Sequence, residues 1–156
     1  MRDEIPGVRI LPMSDRAPGF VGKSIERVQR ELFLRDLPKN GGRFRYRATG
    51  LSARAGTVIL FQYRARIIAS ARFICDEKFP RGRATAKGVT APRPRYGGVL
   101  HLDVASIETF EPLDVEAMRK AWPGFRGFGH VKQALNATCY AILRRRLKNR
   151  ARASVT

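Results

Sequence analysis

The chain has 156 residues, a length typical of one domain with a single core. It carries 31 Lys and Arg against 13 Asp and Glu, a formal net charge of +18. Charge of one sign at this density repels itself, so it favours a polyanionic partner, nucleic acid first and an anionic membrane surface second. A solvated basic surface, from a proteome that uses Arg in place of Lys, is the alternative.

No apolar run reaches the length of a membrane span, and residues 1–6 lack the apolar core of a secretory signal. The two cysteines, Cys75 and Cys139, are far apart and match no metal-binding spacing. We therefore expect a cytoplasmic protein without a membrane partner, in which both cysteines are buried free thiols.

The first part of the chain predicts a strand at 5–11, a loop rich in Pro and Gly at 12–22, and a helix from Ser24 to about Leu37. Ser24 is a favourable N-cap residue, and Pro with two glycines follows the helix. The predicted apolar face of this helix consists of Ile25, Val28 and Leu32, with Phe33 at its edge.

Three consecutive strands are predicted at 43–48, 57–63 and 66–73. The first alternates arginine with aromatic or small residues, as a strand with one wet face does. The second is apolar on both faces, which is typical of a strand covered from both sides. The junction Arg64-Ala65 lacks the Asn-Gly of a tight hairpin, so we expect a turn longer than two residues.

Arginine is the main charged residue in the three predicted strands, residues 43–73. Between Leu37 and Cys75 there is no acidic residue. The planar guanidinium binds phosphate bidentately, so an arginine face indicates an anionic partner. A long basic loop at 76–98 is predicted either to contact a nucleic-acid backbone or to be a mobile insertion. The predicted phosphate-binding residues are Arg43, Arg45, Arg47, Arg64, Arg66, Arg81, Arg83, Arg93 and Arg95.

The last part predicts a strand at 99–110, continuous or broken in two, and a short helix that Asp114 caps. A final helix is expected from about His130 to Lys148, with an apolar face of Val131, Leu135, Cys139, Ile142, Leu143 and Leu147. We predict one α+β domain at 1–149, a small mixed, curved sheet or open barrel flanked by helices. A mobile basic tail is expected at 150–156.

Signals for catalysis are weak. Neither His101 nor His130 has a cysteine or second histidine at ligand spacing, so no metal and no cofactor is predicted. Gly41-Gly42 and Gly56-Thr57 are interpreted as turns, because no Gly-Lys-Ser/Thr of a phosphate loop follows them. The segment 76–78, Asp-Glu-Lys, resembles part of some metal-dependent nucleases, but no acid precedes it on the neighbouring strands. No catalytic residue is assigned, and a protein without enzymatic activity is favoured.

Aromatic side chains near the arginines suggest a base-binding pocket. Tyrosine or tryptophan beside arginine is suited to stacking on a base. We predict a nucleobase pocket of Tyr46, Tyr63 and Trp122, with the amide of Asn40 at a base edge. The alternative is that these aromatic residues fill the core and that Asn40 is a turn residue.

Three segments resemble a known family. Residues 40–47 (NGGRFRYR), 55–63 (AGTVILFQY) and 66–73 (RIIASARF) are similar to the turn and strands of the PUA-like superfamily, in its EVE, ASCH and YTH-like branches. Thr57 stands where an acid usually follows the glycine, and Ala69 replaces a glycine of the third strand. The resemblance implies a PUA-like fold that holds a modified base between the sheet and a helix.

The leading hypothesis is a nucleic-acid-binding domain, for DNA or RNA, that reads a modified or flipped base in an aromatic pocket. One alternative is an RNA- or nucleotide-processing enzyme on the same fold. Another is a structural component of a ribonucleoprotein or phage particle, with protein partners in a larger complex. An acid–lysine pair in the pocket would favour the enzyme, and an aromatic pocket without acids would favour the base reader.

Overall fold

The computed structural model describes residues 5–17, 19–46, 51–79, 97–128, 134–147 and 149–152. The elements follow in the order β1 Val8–Met13, α1 Ile25–Val28, a π-helix Gln29–Asp36, α2 Leu37–Lys39, β2 Arg43–Tyr46, β3 Val58–Tyr63, β4 Arg66–Lys78, β5 Gly98–Leu113, α3 Val115–Ala121, β6 Ala134–Leu135, α4 Ala137–Arg146 and β7 Asn149–Arg152.

The strands form one mixed sheet in the order β2-β5-β4-β3-β1-β6, with β7 paired to β5. Strands β1 and β3 run parallel, and the other described pairs are antiparallel. The rings of Phe44 on β2 and Phe61 on β3 lie 5.4 Å apart, although two strands separate them in the sheet. In a flat sheet these strands would be about 14 Å apart. The sheet therefore curls into a half-barrel, which confirms the predicted curved sheet.

Both faces of this sheet carry a core. Along β3, Ile59, Phe61 and Tyr63 belong to a cluster with the helical segment 25–39. The alternate residues Val58 and Leu60 belong to a second cluster with α3 and α4. We call these the inner and the outer face. Because both are covered at β3, the strand is apolar on both faces, as predicted, and Gln62 is only partly buried.

The helical segment 25–39 begins as predicted, since the Ser24 hydroxyl oxygen accepts a hydrogen bond from the backbone N–H of Arg27 at 3.2 Å. Beyond Val28 the turns widen to π-helix, and the N–H of Leu37 donates to the carbonyl of Leu32, five residues back. A wider turn rotates the apolar stripe. Phe33, predicted at the edge of the apolar face, is therefore fully buried, while Leu32 is only partly buried.

One side chain ties this helix to the sheet. The β4–β5 register shifts between Ile67, which pairs with Leu113, and Ala69, which pairs with Thr109. The amide nitrogen of Gln29 donates to the carbonyl of Ile68 at 2.9 Å and to that of Phe110 at 2.8 Å. It satisfies two carbonyl groups, one from each strand, where the ladder is irregular.

The β3–β4 connection differs from the prediction. Arg64 and Ala65 have φ values of 50° and 57° and form a two-residue turn, not a longer one. Both central residues are left-handed, as in a type I′ hairpin turn. The Arg64 guanidinium lies 5.5 Å from the centre of the Tyr63 ring, and its Nε is 3.7 Å from Asp15. Pairing of the buried flanking strands overrides the weak local turn signal.

Strand β4 extends beyond the predicted end at residue 73, through three residues assigned to the basic loop. Its register with β5 shifts again between Phe73 and Cys75. The prediction that Cys75 is buried was wrong, because this irregularity places it among exposed residues. Cys139 is partly buried against the outer core, and both thiols are free. Residues 80–96 lie outside the described residues.

The C-terminal region also differs. Asp114 caps α3 as predicted, with its Oδ1 accepting from the N–H of Ala117 at 2.9 Å. The final helix begins not near residue 130 but at Ala137, where Asn136 is the cap. Ile142 is 38% exposed, so its predicted place on the buried face was wrong, whereas Leu143 is buried. The predicted tail boundary at 150 falls inside β7, which pairs with β5.

Replacing Gln29 tests its role as a bridge. Gln29→Ala leaves two buried carbonyl groups without a donor, and we expect a loss of about 2–4 kcal/mol of unfolding free energy. Gln29→Met keeps most of the volume but supplies no donor, so it should recover only part of the loss. Arg30→Ala, at the exposed next position, is the control and should change stability little. Urea unfolding gives the values, and a Met variant as stable as the wild type would contradict the bridge.

Candidate nucleic-acid interface

The two described arginines of β2 lie on the outer face of the sheet. Arg43 and Arg45 are exposed, while Tyr46 is buried and Phe44 packs partly against the inner core, as the period of two predicted. In the ladder, Arg43 lies opposite His101, and His101 lies opposite Cys75. Strands β2, β5 and β4 therefore present one continuous surface here.

This surface is not free of acids. Arg45 lies opposite Val99, which pairs with Glu77 on the far side. The Glu77 carboxylate approaches His101 Nε2 to 3.1 Å. The sequence from 37 to 75 lacks acids, but its strands pair with β5 and with the end of β4, which supply them. The expected arginine-only face is therefore a face of mixed charge.

The predicted phosphate-binding residues occupy more than one place. Arg64 and Arg66 lie at the β3–β4 turn, where β4 begins. Strand β2 pairs with the part of β5 that lies opposite the other end of β4. A strand of 13 residues is about 40 Å long. Arg43 and Arg45 thus form one group, and Arg64 and Arg66 form a separate one. The other predicted residues lie outside the described residues: Arg47, Arg81, Arg83, Arg93 and Arg95.

An open cleft of about 380 Å³ lies where β4 and β5 separate. The register moves from Arg72 opposite Asp103 to Ser70 opposite Glu108, so β5 holds additional residues at this point. The strand predicted at 99–110 is thus interrupted by a bulge, a feature common beside functional sites. We call this the bulge cleft; it is lined by Ala55, Gly56, Arg72, Phe73, Ile74, Asp103, Ala105 and Ser106.

Side chains maintain the bulge. The backbone N–H of Arg72 donates to the Ser106 hydroxyl oxygen at 2.7 Å, in place of a ladder carbonyl. That hydroxyl in turn donates to the carbonyl of Asp103 at 2.6 Å. The Asp103 carboxylate accepts from the N–H of Ala105 at 3.1 Å. The backbone at the cleft is therefore fixed, and its polar groups are largely satisfied.

Charged groups of α4 lie close to the cleft. Arg144 binds the buried carboxylate of Glu108 through two contacts of 2.8 Å. The pKa of Tyr140 is raised, first because the ring is buried, while the charges of Arg144 and Arg72 act in the opposite direction. Ala71 and Phe73, on either side of Arg72, belong to the inner core, so Arg72 lies on the outer face.

The four residues predicted to form a nucleobase pocket do not come together. Tyr63 is fully buried on the inner face, and its hydroxyl donates to the carbonyl oxygens of Lys23 at 2.7 Å and Phe20 at 3.1 Å. Trp122 packs on the outer core, 5.3 Å from the Phe125 ring. Asn40 is exposed at the end of α2. The sheet therefore separates Trp122 from Tyr46 and Tyr63.

Tyr46 is 9% exposed and is held by its hydroxyl, which donates to Asp76 at 2.6 Å. A Cβ atom at Gly98, its cross-strand partner, would collide with the phenol, so glycine is required there. Burial, and next the bond to Asp76, raise the pKa of Tyr46 to about 12. In this position its ring serves the inner core.

Other chemistry receives little support from the described residues. Among them, no group of three or more His, Cys, Asp or Glu could hold a metal ion. No helix in this part of the chain is long and apolar enough to cross a membrane. The bulge cleft contains Asp103 but no lysine, so it matches neither the expected acid–lysine pair nor a pocket without acids.

The sequence analysis did not single out the bulge cleft. Arg72 was one of seven arginines in a run, and nothing local marks it. The available signal was Asp103 followed by Ser106, because side chains of these types bond to nearby backbone and interrupt strands. That signal predicts a break in the strand, but not which strand lies opposite.

Replacing Tyr63 separates a core role from base stacking. Tyr63→Ala should cost about 3–5 kcal/mol of unfolding free energy, the usual range for a buried aromatic. Tyr63→Phe loses only the hydroxyl bonds and should cost about 0.5–1.5 kcal/mol. Thermal unfolding and nucleic-acid affinity are measured on the same samples. Affinity per folded molecule should be unchanged; a loss of affinity without a loss of stability would place Tyr63 in a binding site.

The raised pKa of Tyr46 predicts how stability depends on alkaline pH. The contribution of its protonated phenol is fully present below pH 10 and is lost as pH rises through about 12. Tyr46→Phe removes this ionisation, so unfolding free energy should fall less steeply between pH 10 and 12, by about one proton. Denaturant unfolding at several pH values measures the slope. Equal slopes in both proteins would show that Tyr46 does not titrate in this range.

No protein-family model and no curated protein sequence matches the chain. Two solved structures resemble it. ASCH from Zymomonas mobilis has 9% sequence identity and a TM-score of 0.52, covering 94% of this chain and 98% of that one. Protein Atu2648 from Agrobacterium tumefaciens has 10% identity and a TM-score of 0.43, covering 96% and 99%. With its mixed, curled half-barrel and flanking helices, the chain shares the fold of the ASCH structure.

Proposed function

We propose that the chain is a nucleic-acid-binding domain that uses the outer face of its half-barrel. The observation that carries this proposal is the exposed pair Arg43 and Arg45 on β2, in a chain with a net charge of +18. Both side chains are exposed on the face opposite the inner core, where a phosphate group can approach them. The PUA-like fold is consistent with this function, and the proposal itself rests on charge and exposure.

Arginine on a strand suits this task for two reasons. Its guanidinium presents paired N–H donors that match two phosphate oxygens. Residues 43 and 45 are also about 7 Å apart along β2, the distance of two strand residues, so they follow an extended backbone. Phosphate contacts position a nucleic acid without reading its sequence. We therefore assign affinity to this face, and not sequence specificity.

The remaining predicted arginines extend this proposal. Arg64 and Arg66 would contact the nucleic acid at the β3–β4 turn, away from β2. Arg47, Arg81, Arg83, Arg93 and Arg95 stay predicted phosphate contacts. Acids beside Arg43 and Arg45, such as Glu77, favour a particular path for the strand over uniform attraction across the surface.

Recognition of a modified or flipped base is a finer level of the same proposal. Of the four predicted pocket residues, Asn40 is exposed and Trp122 is half-buried, whereas Tyr46 and Tyr63 are buried. Asn40 lies just before β2 and its arginines, so a base edge at its amide would be compatible with phosphates at Arg43. Binding of oligonucleotides with and without base modifications tests this level.

Removing the two arginines tests the phosphate face. Arg43→Ala/Arg45→Ala should weaken binding to all sequences alike, and the salt dependence of log K should decrease by roughly 1.5, the value for two lost phosphate contacts. Fluorescence anisotropy with single- and double-stranded DNA and RNA, at several salt concentrations, measures both quantities. The wild type should lose affinity steeply as salt rises.

Arg119→Ala/Lys120→Ala is the matched control, because it also removes two exposed positive charges, but from α3. It should leave the salt dependence closer to that of the wild type. If both double variants behave alike, net charge and not the β2 face determines binding. If the wild type binds none of the four nucleic acids at low salt, the proposed function is wrong.

A further inference from the structure

We propose that the bulge cleft binds one nucleotide unit of the nucleic acid, with its phosphate on the guanidinium of Arg72. This inference rests on the proposed function and gives it a specific site, separate from the arginines of β2. The proposed site uses the partly buried charge of Arg72 and not the fully exposed charges of β2. The argument depends on the unused donors of Arg72, on the shape of the cleft and on the groups that surround it.

The guanidinium of Arg72 is partly buried and almost without partners. A guanidinium has five N–H donors. In the part of the chain that the structure describes, it makes one long contact, from Nη1 to the Gly56 carbonyl at 3.5 Å, and no ion pair. Arg144 on α4, in contrast, is paired with Glu108 at 2.8 Å. A partly desolvated cation with free donors is a binding position for an anion.

The open cleft has a volume that suits a small ligand such as one nucleotide unit. Its volume of about 380 Å³ falls within the range typical of small-ligand pockets. Ile74, one of its lining residues, is 50% exposed, unusual for a large apolar side chain on a strand. With a phosphate at Arg72, the attached sugar or base would cover Ile74. One ligand would thus pair with the guanidinium of Arg72 and cover the exposed side chain of Ile74.

The other polar groups restrict what the cleft accepts. The hydroxyl of Ser106 already donates to Asp103 and accepts from Arg72, so it has no proton for a phosphate. The Asp103 carboxylate repels a phosphate, although one oxygen is engaged with Ala105. Arg72 is therefore the group that carries anion binding. Asp103 weakens anion binding. Removing the charge of Arg72 should therefore weaken binding, and removing the charge of Asp103 should tighten it.

The experiment compares Arg72→Gln, Asp103→Asn and the wild type, using anisotropy of a fluorescein-labelled ten-nucleotide single-stranded RNA and the matching DNA. Arg72→Gln should weaken binding about tenfold, as expected for losing a charge-assisted hydrogen bond. Asp103→Asn retains the oxygen that accepts from Ala105 and removes the repulsion, so binding should tighten about threefold. Arg119→Gln is the control for charge and should change binding less than twofold.

Ile74→Ser tests the apolar part of the site, and because Ile74 is exposed the variant should fold normally. It should weaken oligonucleotide binding severalfold with an unchanged salt dependence. Adenosine 5′-monophosphate should compete with the RNA more strongly than adenosine, whereas inorganic phosphate alone should compete weakly. Thermal unfolding of each variant separates loss of binding from loss of fold.

The outcomes distinguish this inference from the proposed function. If the wild type binds and Arg72→Gln resembles Arg119→Gln, the cleft is not a phosphate site, and the β2 face can still be correct. Weaker binding by Asp103→Asn, with an intact fold, would also overturn the inference. If Arg43→Ala/Arg45→Ala abolishes binding while Arg72→Gln has no effect, the nucleic acid binds the β2 face and does not contact the cleft. If the wild type binds neither oligonucleotide, both proposals are wrong.

Discussion

The pairing of β4 with β5 is the constraint on which the rest of the structure depends. These strands, of 13 and 16 residues, are the longest in the sheet, and their register shifts at three places. Irregularities of this kind bend a strand and increase its twist, which is how an open sheet closes toward a barrel. One shift is bridged by Gln29 from the helix, and another opens the bulge cleft. Curvature, helix attachment and candidate site thus have one origin.

The pairing of β4 with β5 also determines where acidic side chains lie among the arginines. In the sequence the arginines form a run without acids, but β5 lies between β2 and β4 and places His101 and Asp103 among them. Glu77 reaches the same face from the end of β4. Net charge supports attraction to a polyanion over the whole molecule. Local arrangement then determines which cations form ion pairs, and among the described residues Arg72 forms none, although Asp103 lies opposite it in the ladder.

Features that depend on neighbours in sequence could be predicted. The alternation in β2, the apolar β3 and the caps Ser24 and Asp114 are local, and the structure confirms them. Features that depend on register could not. Cys75 was expected to be a buried free thiol at the end of a strand, and a register shift just before it leaves it exposed. The π-helix likewise moved Phe33 to the centre of the core, since propensity does not report a widened turn.

The candidate site was less predictable than the fold, for a related reason. An aromatic residue beside arginine is compatible with stacking on a base, but also with packing in a core. The hydroxyl of Tyr63 bonds to two carbonyl groups of the 20–23 loop, which holds the ring in the core. These partners lie about 40 residues away in sequence, so no local pattern reveals them. The resemblance to PUA-like domains gave the fold correctly, because a fold depends on many approximate positions. A ligand pocket depends on a few side chains.

The position of Arg72 shows how a bulge can open a cleft while the backbone beside it stays hydrogen-bonded. At a normal ladder position its backbone N–H would bind a carbonyl and its side chain would pack between neighbours. Here the Ser106 hydroxyl replaces that carbonyl at 2.7 Å, so the backbone stays fixed while the strands part around the side chain. A cation held on a strand is placed more accurately than one on a loop. The irregularity that curves the sheet thereby also places the Arg72 guanidinium at an open cleft, on a backbone that stays hydrogen-bonded.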